Sequence, residues 1–270
     1  MALKIAHKLN EMESMSVAPV PLADIYKDDA RESAVYYINP DDLDPEEERL
    51  TRIRLPPDEK FFPRVPSYKN NGKGIQADRV YVVGPSGSGK SYFMRGYARA
   101  FHEKYPEARV CLFSSKKEDR TLDLLRYIER VVIPEDIEEG TLTMDEFSTT
   151  RPCLMIFDDI EDFPKKSMGK EVNRFLSEVL RNGRDPWGIY AIYSHHDPCC
   201  FKETKVMLKE AKRIVFFPNA YPGKFTYLMS KYMGLNRTQI EQVEEMKSRW
   251  VCIADQRPRF ILSDRYIILR

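Results

Sequence analysis

Gly84-Pro85-Ser86-Gly87-Ser88-Gly89-Lys90-Ser91 is the stretch of this sequence most clearly built for chemistry. It fits the pattern G-x-x-x-x-G-K-[ST]. Glycines at those positions permit a tight loop that aims successive backbone N–H groups at phosphate oxygens. A helix opening at the end of the loop adds the partial positive charge of its N-terminus. In that arrangement Lys90 reaches the β- and γ-phosphates of a bound nucleotide, and the Ser91 hydroxyl serves as a ligand for Mg²⁺. Tyr92 follows at the loop's edge. The expected cofactors are therefore ATP and Mg²⁺.

A phosphate loop that hydrolyses its ligand needs a carboxylate at the end of a neighbouring buried strand. The segment "PCLMIFDDIEDF" supplies one, because Cys153 to Phe157 is apolar and runs into Asp158-Asp159. Asp158 fits the magnesium-coordinating acid of a Walker-B strand. Asp159 stands where many ATPases place the carboxylate that polarises the attacking water, and Glu161 is the alternative.

These residues need a scaffold. Strands are expected at Arg79–Val83, Arg109–Ser114, Cys153–Asp158, Gly188–Ser194 and Arg213–Phe217. Between them, Ser88–Tyr105 and Gly169–Asn182 carry apolar residues at helical spacing, with Val172, Phe175, Leu176, Val179 and Leu180 forming a stripe. Asn236 with Gln239 three residues on reads as a capping box opening another helix. The final stretch, "RWVCIADQRPRFILSDRYIILR", reads as a β-meander. Alternating strands and helices predict an α/β P-loop NTPase domain over 75–270, with a RecA-like, mostly parallel sheet flanked by helices. Residues 1–74 are rich in proline and charge. They are expected to form an extended arm with short helices, the first an amphipathic one using Leu3, Ile5, Ala6 and Leu9.

Composition sets outer limits. The 42% hydrophobic and 31% charged residues are those of a globular chain. No run of about eighteen apolar residues marks a membrane span, and no secretory leader is expected. The five cysteines lack framework spacing, which predicts free thiols in a reducing compartment. His195, His196, Cys199 and Cys200 could in principle ligate a soft metal, but adjacent pairs are poorly disposed for a zinc site.

Further along, "NGRDPWGIYAIYSHHDP" resembles the sensor strand of FtsK/HerA-type DNA-pumping ATPases, which ends in Thr or Ser followed by Gln. Ser194 and His195 occupy those places, His standing for Gln. "ARVCLFSSKKEDRTLDLL", "LMIFDDIEDF", "KEAKRIVFFPNA" and "YMGLNRTQIEQVEEMKSRWVCI" are similar to segments of the genome-packaging ATPases of large eukaryotic DNA viruses, the poxvirus-type branch of that superfamily, and come in the same order. The resemblance covers roughly 75–270. It implies an ATP-hydrolysing translocase of double-stranded DNA, working as a homo-hexameric or homo-pentameric ring that fills a viral capsid. It also implies a location in the host cytoplasm or the virion, and a capsid or internal membrane protein as partner. His195 would sense the γ-phosphate. A neighbouring subunit would supply an arginine, for which Arg181, Arg184 and Arg213 are the candidates. The basic cluster Lys165, Lys166 and Lys170 is a candidate for DNA contact. Two other functions fit a phosphate loop: a guanylate-kinase-like phosphotransferase, and an assembly scaffold that binds nucleotide without hydrolysing it.

Overall fold

The computed structural model describes residues 2–6, 18–43, 48–68, 77–200, 204–220, 222–255 and 257–270. The chain divides into two compact units, one formed by Met1–Arg64 with Val215–Arg270 and the other by Val65–Ile214.

The first unit opens with β1 (Ala2–Ala6), β2 (Val20–Lys27), β3 (Ala30–Ile38), β4 (Arg52–Arg54) and β5 (Glu59–Pro63). Four of them pair as an antiparallel sheet in the order β1-β3-β2-β5. Asp28 and Asp29, both at positive φ (48° and 62°), form the two-residue turn between β2 and β3. Such a turn matches the twist of paired strands, and Asp tolerates the left-handed region better than most residues. Ala2, Ala6, Ala34, Tyr36 and Ile38 form the core on one face. These strands correct two expectations. The first residues are β1 rather than an amphipathic helix, and Leu9 lies outside the described residues. The described part of 1–74 is a strand-rich sheet with one 3₁₀ turn at Pro40–Asp42, not an extended arm with short helices. The reason is tertiary, since each residue of β1 pairs with one some thirty positions away on β3.

The second unit holds β6 (Arg79–Val83), α1 (Lys90–Lys104), β7 (Val110–Ser114), β8 (Ile128–Arg130), α2 (Met144–Phe147), β9 (Cys153–Asp158), α3 (Lys166–Asn182), β10 (Ile189–His195) and α4 (Lys205–Glu210), and β11 (Arg213–Phe216) begins there. Its sheet runs β6-β10-β9-β7-β8 with parallel pairing throughout, and β11 lies on the free side of β6. β6, β9 and β10 are buried along their whole length, as expected of strands covered on both faces. Tyr193, Phe157 and Phe113 are register partners on one face. Phe175 of α3 packs there, 5.4 Å from the Phe113 ring. Tyr190 points the other way, three residues before Tyr193, and meets Phe101 of α1 at 5.1 Å. The two helices therefore flank opposite faces. This is the α/β P-loop NTPase fold, with β10 placed between the strand that leads into the phosphate loop and the strand that ends in Asp158.

The chain then completes the first unit with α5 (Pro222–Tyr227), α6 (Arg237–Glu245), β12 (Val251–Ala254), β13 (Phe260–Ser263) and β14 (Tyr266–Leu269). The last three strands form the expected antiparallel meander, and β4 pairs with β14. Asn236 and Gln239 close a complete capping box at the start of α6.

Candidate functional site: a phosphate loop facing two carboxylates

Parallel strands all deliver their C-terminal ends to one edge of a sheet, and here that edge collects the polar residues. β6 ends at Val83 and the chain enters the loop, where Gly87 and Gly89 adopt φ of 77° and 109°. A Cβ at Gly87 would meet nothing within 4 Å, so the glycine serves backbone conformation and leaves open space above the loop. α1 starts at Lys90 with no side chain capping its first turn, which leaves its N–H groups for an anion. The Gly84 N–H donates to the His195 carbonyl at 3.2 Å and ties the loop to β10. The Ser88 hydroxyl is buried without a hydrogen-bond partner among the described residues, an orphan that a phosphate oxygen would satisfy.

Lys90 is 6% exposed, and its ammonium donates to Gly84 O (2.8 Å), Pro85 O (3.2 Å) and His196 Nδ1 (3.1 Å). Burial pushes its pKa down, opposed by the charges of Asp159, Asp158 and Glu161. Asp158 is 2% exposed and both its oxygens are taken. Ser91 Oγ donates to Oδ2 at 2.7 Å and Ser194 Oγ to Oδ1 at 2.6 Å. Burial and then the neighbouring Asp159 charge raise its pKa, against the two serine hydrogen bonds. A buried carboxylate beside a serine hydroxyl, with a lysine and an orphaned hydroxyl in the same loop, is a donor set that fits a magnesium–nucleotide triphosphate.

Asp159 differs from its neighbour. It sits at φ +50°, and its carbonyl accepts from Ser115 Oγ at 2.6 Å. One carboxylate oxygen is paired with the Lys116 ammonium, and the other lies 3.2 Å from His196 Nε2. Glu161 accepts from the His196 N–H at 2.9 Å. Ser194 reaches the site through Asp158, whereas the His195 ring lies 2.8 Å from the Asp197 carbonyl and 3.6 Å from Glu161. Thus His196 is the histidine in contact with Lys90 and Asp159. Sequence reasoning named His196 only as a possible metal ligand and missed Ser115 and Lys116. The adjacency of Ser115-Lys116 to the end of a strand bordering the acidic strand was the available signal.

The remaining candidates lie elsewhere. Tyr92 is 58% exposed on α1, with the Arg95 guanidinium 4.8 Å from its ring. Arg181 and Arg184 are exposed where α3 ends and β10 begins, at the opposite edge of the sheet from the loop. Arg213 is half-buried at that edge, 3.3 Å from Asp78, which also accepts from Tyr97 Oη (2.9 Å). Beside it, buried Arg79 donates to the carbonyls of Val179, Leu180 and Ile189 and satisfies the end of α3. Lys165 and Lys170 are paired with Glu135 and Glu139. All five cysteines are free thiols, and among the described residues no three or more His, Cys, Asp or Glu side chains gather to hold a metal ion by themselves. Among the same residues no helix is long and apolar enough to cross a membrane.

The chain is 32% identical over 210 residues to uncharacterized protein V3 of Sputnik virophage, a match covering 77% of this chain and 80% of the virophage protein. It belongs to the V3 family. No protein-family model matches the chain. Among solved structures, this V3-family protein is similar to the genome-packaging NTPase B204 of Sulfolobus turreted icosahedral virus 2 in complex with ATP-γS. The identity is 16% and the TM-score 0.46, covering 70% of this chain and 98% of that one. It is also similar to the cytoplasmic domain of the type VII secretion ATPase EccC of Thermomonospora curvata, at 13% identity and a TM-score of 0.49, covering 84% of this chain and 31% of that one.

Proposed function

We propose that this V3-family protein is an ATPase of the FtsK/HerA class that couples ATP hydrolysis to movement of double-stranded DNA into a viral capsid. The observation that carries the reading is the convergence of Lys90, Ser91, Asp158, Ser194 and Asp159 at one sheet edge. The motif order that resembles packaging ATPases and the viral relative support the genome-packaging part.

The loop N–H groups and Lys90 hold the phosphates and take up the charge that develops on them. Ser91 Oγ and Asp158 are the residues that would hold Mg²⁺, whose charge would neutralise the triphosphate. Asp159, just past the end of β9, orients the attacking water and accepts its proton as the γ-phosphoryl bond breaks; Glu161 is the alternative base. Ser194 fixes Asp158 through its 2.6 Å hydrogen bond. Arg181 or Arg184, at the edge away from its own loop, would complete a neighbouring subunit's site in a ring. Every residue given a role in this motor lies within 75–270. Work in a host cytoplasm or virion suits the free thiols.

The test is phosphate release from ATP by the purified chain, with linear double-stranded DNA or with GMP added. Stimulation by DNA is expected, and phosphoryl transfer to GMP would move the assignment to a kinase.

A further inference from the structure

Four side chains form a continuous polar chain across the site: Lys90, His196, Asp159 and Lys116. Its direction is fixed by chemistry. The Lys90 ammonium can only donate, so His196 Nδ1, 3.1 Å away, must accept. The ring's proton therefore sits on Nε2, which donates to Asp159 Oδ1 at 3.2 Å. The second Asp159 oxygen is held by Lys116, and the backbone on that side is pinned by Ser115, whose N–H and hydroxyl both donate to the Asp159 carbonyl.

All three donors of Lys90 are engaged, two with carbonyls of its own loop and one with His196. Phosphates arriving at Lys90 must displace one of them. The loop carbonyls are held by the backbone, whereas His196 reaches Lys90 through a side chain that is 34% exposed. Displacing it removes the acceptor contact at Nδ1 and, through the rigid ring, loosens the donor contact at Asp159.

Resting on the ATPase reading above, we propose that His196 is a positioning residue that couples occupancy of Lys90 to the placement of Asp159. In the same relay Lys116 latches that carboxylate away from water until the phosphates arrive. The step is a rearrangement of hydrogen bonds with no covalent change. Neither residue touches the reacting atoms in the proposed relay; each acts through Asp159.

The experiment measures affinity for a fluorescent non-hydrolysable ATP analogue with Mg²⁺, alongside steady-state ATP turnover, for the full chain and three variants. His196→Ala removes the competitor for Lys90 and tightens analogue binding about threefold, the scale of one net hydrogen bond. Lys116→Ala leaves that affinity within about twofold and raises DNA-free turnover about threefold, while Lys116→Arg restores the low rate. Unchanged or weaker binding by His196→Ala overturns the relay. A Lys116→Ala rate at or below that of the unmodified chain overturns it too. An unmodified chain that binds the analogue yet never hydrolyses ATP would instead remove the ATPase reading itself.

Discussion

Asp158 and Asp159 are chemically identical neighbours given different tasks by their surroundings. Asp158 lies on a buried strand with a serine on each oxygen, a position for holding a cation. Asp159 turns out of the strand at φ +50° and faces basic groups, a position for handling water. Asp159→Asn is expected to bind ATP with near-normal affinity while turnover falls about 10²–10³-fold, the scale of losing one group aimed at the transition state. Glu161→Gln in parallel decides between the two acids: a loss there with Asp159→Asn unaffected would move the base to Glu161. Lys90, Ser91 and Asp158 were legible in the sequence because their chemistry demands fixed spacing from glycines or a fixed place at the end of an apolar run. His196 was not, because a strand ending in Ser-His-His does not say which ring turns toward the loop. That choice is made by Asp197, whose backbone engages His195.

At the level of elements, α3 anchors the long excursion between β8 and β9 through one buried carboxylate. Glu171, its side chain 1% exposed, accepts from the N–H groups of Gly140 (2.9 Å) and Leu142 (2.8 Å) and is gripped by Arg174. Those hydrogen bonds and the Arg174 charge outweigh burial and hold its pKa down at about 2, against an ordinary 4.5. A depressed carboxylate contributes stability that is complete above the unfolded value and is lost as pH falls toward the folded one. The contribution is on the order of 3 kcal/mol and should fade between about pH 4.5 and 2. Denaturant unfolding across that range, with Glu171→Gln for comparison, checks it; the variant should lose most of this acid-sensitive part. The central strands were legible for a related reason, since burial on both faces writes them as unbroken apolar runs. β1 to β5 were not. They are mixed in polarity, β2 and β3 turn through Asp-Asp rather than a glycine pair, and β1 finds its partner some thirty residues away.

For the whole molecule, the proposed completion of each site by a neighbour's arginine would make activity depend on assembly. The turnover rate per subunit is expected to rise cooperatively with protein concentration and to rise further with double-stranded DNA. Removing the side chain of Arg181 or Arg184, whichever is the finger, should cost about 10³–10⁵ in rate without abolishing nucleotide binding. A rate per subunit indifferent to concentration would mean that each chain hydrolyses ATP alone. The phosphate loop and the apolar strand ending in Asp158 made the P-loop NTPase fold legible from the sequence. The division of the chain was harder to read, because Val215–Arg270 groups with the N-terminal strands and such grouping leaves no local signature.

The central claim is that ATP hydrolysis moves duplex DNA, and displacement of a third strand from a DNA triplex tests it most directly. The account predicts that the assembled chain strips the third strand only when ATP and Mg²⁺ are present, and that Lys90→Ala does not. Sustained ATP hydrolysis with the triplex left intact at every protein concentration would contradict it.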